Sequence, residues 1–193
     1  MTTRRPRLGV LASGRGSNLA HLAAAGYPIA AVATNRPSSG AAAIARERDL
    51  PLGEFPQSRY ESSAARDQAM LTWLRERDPE VLVLAGYDRI VAPDLVRAFG
   101  GRILNLHPSL LPAFAGGMDA VAQALRAGVK ITGCTVHLVT EEVDGGPILR
   151  QAAVPVLPQD TEQTLHARIQ VEERRILPLA IDDVTATVRS EAG

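Results

Sequence analysis

Residues 81–85 of the chain read Val-Leu-Val-Leu-Ala, an apolar run that contains no polar side chain. A strand with one face in water alternates polar and apolar residues, whereas a strand that is apolar throughout is covered on both faces. The run therefore predicts an inner strand of a parallel sheet with helices packed on both sides. Gly86-Tyr87-Asp88 follows it directly and indicates a turn at the carboxyl end of that strand.

On both sides of this run, short apolar segments are separated by segments with helical patterns. Strands are predicted at 8–12, 28–33, 51–55, 81–85, 102–106, 130–140, 147–156 and, as a short edge strand, 184–188. Helices are predicted at 18–25, 41–48, 58–77, 92–98, 118–127 and 161–178. Alternation of strand and helix predicts a single α/β domain over 1–193, a Rossmann-like, doubly wound, mostly parallel sheet with an antiparallel C-terminal part. Residues 1–6 are expected to form a frayed start.

Composition excludes several classes of function. The chain has 193 residues, with 21 Lys and Arg against 21 Asp and Glu. A net charge of zero provides no general attraction for nucleic acid. The single cysteine, Cys134, excludes an internal disulfide and a multi-thiolate metal site. We find no run of about 20 apolar residues and no signal-peptide pattern, so we expect a cytoplasmic protein without a membrane span.

The first polar loop reads Ser13-Gly14-Arg15-Gly16-Ser17-Asn18, between the first strand and the first helix. Glycines allow a tight turn, and a helix N-terminus favours an anion such as phosphate. It is not a full dinucleotide fingerprint, because Leu19 stands where a third glycine is required. The sequence favours a phosphate of a mononucleotide-like substrate, and a plain strand-to-helix turn is the alternative.

Asn105 and His107 stand two residues apart at the end of a predicted strand, immediately before Pro108. Side chains at this spacing share one face of a strand. An amide and an imidazole can both donate hydrogen bonds to a developing oxyanion, and imidazole also transfers protons near neutral pH. The pair predicts a catalytic site, and a structural histidine at a strand end is the alternative.

Two further segments carry chemistry. Asp144 lies in the bend Asp144-Gly145-Gly146, where its carboxylate is free to pair with His107 and favour the charged ring; an ordinary turn is the alternative. Thr135 and His137 share a strand face, and the pattern favours a structural role for His137.

Residues 86–91 follow the apolar run at the ligand edge of the sheet, where Gly86 leaves room for a flat ligand. A strand-to-helix loop with a salt-bridged Arg89 is the alternative.

Together these motifs resemble the glycinamide ribonucleotide formyltransferases, folate-dependent enzymes of purine synthesis. The similarity runs from about residue 8 to residue 178 through the motifs GxGSN, LAGYxRI, NxHPSLLPxF, GCTVH and VDxGPI. It implies transfer of a formyl group from 10-formyltetrahydrofolate, a co-substrate, to the amine of glycinamide ribonucleotide, without a metal. Two alternatives stay open: a formyltransferase acting on a sugar-nucleotide amine, and a catalytically silent folate-binding or dinucleotide-binding module.

The resemblance also implies roles for individual residues, with small molecules as the only ligands and either a monomer or a homodimer. The implied catalytic residues are Asn105, His107 and Asp144. The implied contacts to glycinamide ribonucleotide are Gly16, Ser17, Asn18, Gln170, Val171, Glu172 and Glu173. The implied contacts to folate are Arg66, Asp88, Arg89, Ile90, Val91, Asn105, Thr140, Glu141, Glu142, Val143 and Asp144. Arg59 is an alternative to Arg66, and the loop at 115–118 is one residue longer than is usual in that family.

Overall fold

A computed structural model describes residues 4–117 and 119–191 of the chain. The seven strands are β1 (Leu8–Leu11), β2 (Ile29–Thr34), β3 (Leu52–Glu54), β4 (Val81–Leu84), β5 (Ile103–His107), β6 (Ile131–Leu138) and β7 (Ile148–Pro155). The six α-helices are α1 (Ser17–Ala24), α2 (Gly40–Glu47), α3 (Ser63–Arg77), α4 (Pro93–Ala98), α5 (Ala120–Ala127) and α6 (Glu162–Glu191). A single turn of 3₁₀-helix covers Gln57–Arg59.

The strands form one sheet in the order β3-β2-β1-β4-β5-β6-β7. The first five are parallel to one another, whereas β6 runs antiparallel to both β5 and β7. This confirms the predicted α/β fold with its antiparallel C-terminal part.

Strand β4 lies between β1 and β5 and is buried along its whole length. Val81 and Val83 join the hydrophobic cluster that contains α1, α2, α5 and α6, whereas Leu82 and Leu84 join the cluster that contains α3 and α4. Alternate side chains of one strand thus enter two cores on opposite faces of the sheet, as expected for a doubly wound fold.

The predicted edge strand at 184–188 is wrong, because α6 continues to Glu191. Leu177, Ala180, Ile181 and Val184 are buried in the same cluster and recur at spacings of three and four residues. That is the period of one helix face, and it outweighs the expectation that Pro178 ends the helix.

Two helix starts also differ from the prediction. Helix α3 begins at Ser63 instead of residue 58, because the side chain of Ser62 accepts a hydrogen bond from the Ala65 amide and caps the helix there. Helix α5 begins at Ala120, and Met118, where the prediction began it, lies outside the described residues.

The start of the described chain has defined contacts. Residues 1–3 lie outside the described part, whereas Arg4 pairs with Glu80 and the Arg5 guanidinium lies 4.6 Å from the centre of the Tyr27 ring. Among the described helices, none is long and apolar enough to cross a bilayer.

Candidate active site

The site is built at the carboxyl edge of the sheet, where β5 ends in Asn105, Leu106 and His107. The antiparallel register places His137 opposite Asn105 and Thr135 opposite His107. Asn105 and His107 share a face of β5, and both contact the same third residue, Asp144. The i, i+2 spacing predicted that these two side chains would act together.

Asp144 reaches this strand end from the bend between β6 and β7. Its backbone has a positive φ of 53°, in the left-handed region that Asp tolerates better than most residues. Its Oδ2 lies 3.4 Å from His107 Nδ1 and accepts a hydrogen bond of 2.9 Å from the Gly116 amide. Its Oδ1 accepts one of 3.3 Å from Asn105 Nδ2. One carboxylate therefore links both side chains of β5 to the loop that follows the strand.

The proton positions on His107 follow from its partners. His107 Nε2 lies 3.0 Å from the Phe114 carbonyl, which can only accept, so Nε2 carries a proton. Nδ1 faces the Asp144 carboxylate, with its Oδ2 at 3.4 Å. The ring is buried, with 4% of its surface exposed, so water screens this pair little.

The hydrogen-bond partners and the burial of His137 both favour a neutral ring. Its Nδ1 donates to the Leu138 carbonyl at 2.9 Å, and its Nε2 accepts from Asn105 Nδ2 at 3.1 Å. Burial lowers the pKa of His137 and outweighs the opposing effect of Asp144. His137 thus holds the Asn105 amide in one orientation, with its NH₂ group toward the histidine and the carboxylate.

The glycine-rich loop packs closely against α2 and requires glycine at position 16. Gly16 caps α1 with a positive φ of 78°, and a Cβ there would lie 2.7 Å from Ala41 Cα. Only glycine fits this position, which brings the loop backbone against the start of α2. Ser17 opens α1 and is half-buried.

Asn18 connects this loop to the distant helix α6. Its Nδ2 donates to Glu173 Oε2 at 3.1 Å, whereas its Oδ1, also buried, has no hydrogen-bond partner in the part of the chain that the structure describes. Burial raises the pKa of Glu173, although the Asn18 hydrogen bond opposes that effect. A buried acceptor without a partner and a carboxyl group that resists ionisation form a polar subsite suited to a ligand with hydroxyl or amine donors.

The other residues predicted on α6 lie differently. Val171 is exposed, Gln170 is half-buried and Glu172 pairs with Arg175. Of the four predicted residues, Glu173 is the one with a hydrogen bond to the glycine-rich loop, through Asn18.

The two segments predicted to line a folate cleft carry exposed apolar side chains. Ile90 is 74% exposed on one segment and Val143 is 49% exposed on the other. Residues 140–142 are also exposed, and Arg89 is exposed whereas Val91 is buried. Exposed side chains of this size are suited to covering the face of a flat ligand.

Arg66 lies in a different environment from the other predicted folate contacts. Its guanidinium is buried and pairs with the Asp67 carboxylate at 2.6 Å, and it also donates to Gln57 Oε1 at 3.1 Å. Arg59, the alternative, is exposed and lies 3.9 Å from the Glu54 carboxylate.

The formyl transferase family model matches residues 7–181 of the chain. The chain belongs to the formyl transferase family. It is 48% identical over 180 residues to the phosphoribosylglycinamide formyltransferase of Mycobacterium tuberculosis, covering 91% of this chain and 83% of that protein. It is 40% identical to the protein of the same name from Bacillus subtilis, covering 91% and 92% of the two chains.

Solved structures agree with these relatives. The chain resembles glycinamide ribonucleotide transformylase 1 from Symbiobacterium toebii at 44% identity with a TM-score of 0.87, covering 92% of this chain and 86% of that one. The phosphoribosylglycinamide formyltransferase from Streptococcus pneumoniae has a TM-score of 0.88 at 33% identity, covering 93% and 99%.

Sequence reasoning missed parts of the site in this formyl transferase. The sequence favoured a structural role for His137 but did not indicate its direct contact with Asn105. The backbone of Phe114 and Gly116 also contacts the side chains of His107 and Asp144. The motif GCTVH placed His137 on the correct strand, but only the register between β5 and β6 brings it to Asn105.

Other groups of this formyl transferase lie apart from the cluster. Cys134 is buried on β6, where burial raises its pKa to about 12, so it is a neutral thiol. A surface cavity of about 400 Å³ lies at the edge strand β3, beside Gly53 and Trp73, and its lining includes Arg59, the alternative folate contact, but no other predicted site residue. Within residues 4–117 and 119–191, no group of three or more His, Cys, Asp or Glu side chains could hold a metal ion.

Proposed function

We propose that this formyl transferase moves the formyl group of 10-formyltetrahydrofolate to the amine of glycinamide ribonucleotide, a step of purine biosynthesis. The products are N-formylglycinamide ribonucleotide and tetrahydrofolate. The observation that carries the proposal is the Asp144 carboxylate, which contacts both His107 and Asn105 at the end of β5. Relatives that are 40–48% identical over about nine tenths of the chain carry the name phosphoribosylglycinamide formyltransferase, which specifies the same acceptor and the same transferred group.

In the first step, the substrate amine attacks the formyl carbon and a tetrahedral intermediate with an oxyanion forms. His107 Nε2–H and the Asn105 amide are the donors available to that oxyanion. In the free protein Nε2–H is bonded to the Phe114 carbonyl, and the Asn105 NH₂ group is bonded to His137 and Asp144. The substrate oxygen therefore has to replace one of these acceptors at each donor. The Asp144 carboxylate, 3.4 Å from His107 Nδ1, stabilises positive charge that develops on the His107 ring during the reaction.

In the second step, the bond between the formyl carbon and N10 of folate breaks. The attacking amine loses a proton and N10 gains one, so the proton count balances. His107, or a water molecule held by Asp144, carries the proton between the two nitrogens. Each chemical step uses side chains that are already in contact through one carboxylate.

The two substrates bind to separate sets of residues. The phosphate binds at Gly16 and Ser17, where backbone N–H groups and the start of α1 favour an anion. Asn18 Oδ1 and Glu173 receive donors from the rest of the ribonucleotide. The pterin lies between residues 88–91 and residues 140–144.

A substrate panel tests this function. The purified protein is given 10-formyltetrahydrofolate with glycinamide ribonucleotide, with an amino-sugar nucleotide or with glycinamide lacking the ribose phosphate. We expect glycinamide ribonucleotide to have a kcat/KM at least about 10²-fold higher than the others, because remote phosphate binding positions the amine. Preference for the amino-sugar nucleotide, or folate binding without any transfer, would contradict the proposal.

A further inference from the structure

Three polar side chains outside the catalytic cluster meet at the carboxyl ends of β1, β2 and β4. The Ser13 hydroxyl donates to Asn35 Oδ1 at 2.6 Å, and Asn35 Nδ2 donates to Asp88 Oδ1 at 2.8 Å. The Asp88 amide donates to the Ser13 hydroxyl oxygen at 3.0 Å, which closes a ring of hydrogen bonds. The Ser13 amide also donates to the Gly86 carbonyl at 3.0 Å, so the two loops are joined by a reciprocal pair of bonds.

This ring is buried and fully bonded. Ser13 is 5% exposed, Asn35 is 8% exposed and the Asp88 side chain is 12% exposed. Burial alone raises the pKa of Asp88, but the hydrogen bond from Asn35, the nearby Ser13 hydroxyl and the Arg36 guanidinium outweigh it and hold that pKa below its ordinary value. The Asp88 carboxylate is therefore bonded to other groups of the protein. Asp88 contributes to the cleft through the position of its loop.

The ring connects the two substrate loops. Ser13 comes directly before the loop at 14–18, whereas Asp88 opens the segment at 88–91. A reaction between two bound substrates needs the amine and the formyl carbon about 3–3.5 Å apart, and a misplacement of about 1 Å costs about 10²-fold in rate. Any shift between these loops therefore acts on the reacting distance.

We propose that Ser13 and Asn35 are positioning residues that fix the folate side of the cleft relative to the phosphate loop, and so set the distance between the two substrates. This inference rests on the proposed function. It predicts a loss in kcat that exceeds the loss in affinity for either ligand alone, because each loop still binds its own ligand when the ring is broken.

The main test uses Asn35→Asp and the reciprocal double variant Asn35→Asp/Asp88→Asn. The single variant places two carboxylates together without a donor between them, and we expect kcat to fall about 10- to 100-fold. The double variant restores a donor–acceptor pair in the reverse direction, and kcat should recover to within about fivefold of wild type. The dissociation constants of a deaza folate analogue and of glycinamide ribonucleotide, each measured alone, should change less than about fivefold.

A matched control removes a different buried hydroxyl. Thr132 lies at the start of β6, and its Oγ1 has no hydrogen-bond partner within the described residues, so Thr132→Val should leave kcat unchanged. Wild-type kcat in Asn35→Asp, a double variant no faster than the single one, or a loss found entirely in ligand affinity would overturn the inference.

A readout that needs no substrate separates this inference from the proposed function. Hydrogen exchange at the Asp88 amide should accelerate at least about tenfold in Ser13→Ala, because its acceptor is removed, and stay unchanged in Thr132→Val. Unchanged exchange in Ser13→Ala would overturn the inference whichever amine the enzyme formylates. If exchange accelerates while glycinamide ribonucleotide is not a substrate, the proposed function is wrong but the inference that the ring joins the two loops is supported.

Discussion

Replacing Asp144 with Asn removes the charge at the centre of the catalytic cluster while nearly preserving its shape. The carboxylate uses Oδ1 for the Asn105 amide and Oδ2 for the Gly116 amide and the His107 ring. An Asn amide has one acceptor oxygen. In Asp144→Asn this oxygen can accept either from Asn105 or from the Gly116 amide and the His107 ring, and the new NH₂ group then faces a donor at the other position. Both the charge and half of the acceptor capacity are lost.

The size of the effect follows from the contact with His107. A hydrogen bond to a charged group contributes about 1.5–3 kcal/mol, and each 1.4 kcal/mol is a factor of about ten. The Nδ1–Oδ2 distance of 3.4 Å is long, but burial of both partners keeps the interaction unscreened. We therefore expect kcat for Asp144→Asn to fall about 10- to 150-fold, with KM for either substrate changing less than about fivefold.

The assay is steady-state formyl transfer across pH, with circular dichroism to confirm the fold. Asp183→Asn is the matched control, because Asp183 forms an exposed ion pair with Arg150 on α6 and β7. Exposed pairs contribute about 0–1 kcal/mol, so this variant should keep its turnover. A folded Asp144→Asn enzyme with wild-type kcat would refute the claim that Asp144 acts through His107.

Three other predictions concern single positions. Gly16→Ala should destabilise the protein by about 1–2 kcal/mol and raise the KM for glycinamide ribonucleotide, because the φ of 78° disfavours a side chain. Gly14→Ala is the control, because an added Cβ there meets no described atom within 4 Å. Equal melting temperatures of the two variants would contradict this prediction. Glu173→Gln should stabilise the free protein by about 0.5–2 kcal/mol near neutral pH and weaken substrate binding. Burial raises the folded pKa of Glu173, so its favourable contribution is lost as pH rises through that value; thermal melts of wild type and variant should converge in acid, and a constant difference across pH would contradict this. Cys134→Ala should keep turnover within tenfold, because a thiol with a pKa of about 12 supplies no thiolate; a larger loss in a folded variant would give Cys134 a role in catalysis.

The fold was predictable because its inner strand is self-evident in the sequence. Val81 to Leu84 enter cores on both faces, and an unbroken apolar run is the direct signature of that environment. The continuation of α6 was missed because Pro178 suggests a helix end, whereas the packing of Ile181 and Val184 against the core depends on tertiary contacts.

Site residues that are close together in the sequence could be paired by prediction, whereas those far apart could not. Asn105 and His107 are two residues apart, so a rule about strand faces was enough to pair them. His137 reaches Asn105 only through the β5–β6 register, and no local pattern states that register. The Ser13, Asn35 and Asp88 ring was out of reach for the same reason, because it joins three loops separated by 22 and 53 residues.

The most direct test of catalysis at the end of β5 is the rate of formyl transfer by His107→Ala. The rate is measured in a single turnover with both substrates saturating, so that binding and product release do not mask the chemical step. We predict a fall of about 10²-fold or more in a variant with wild-type circular dichroism and unchanged affinity for the deaza folate analogue. A folded His107→Ala protein that transfers the formyl group at the wild-type rate would contradict the account.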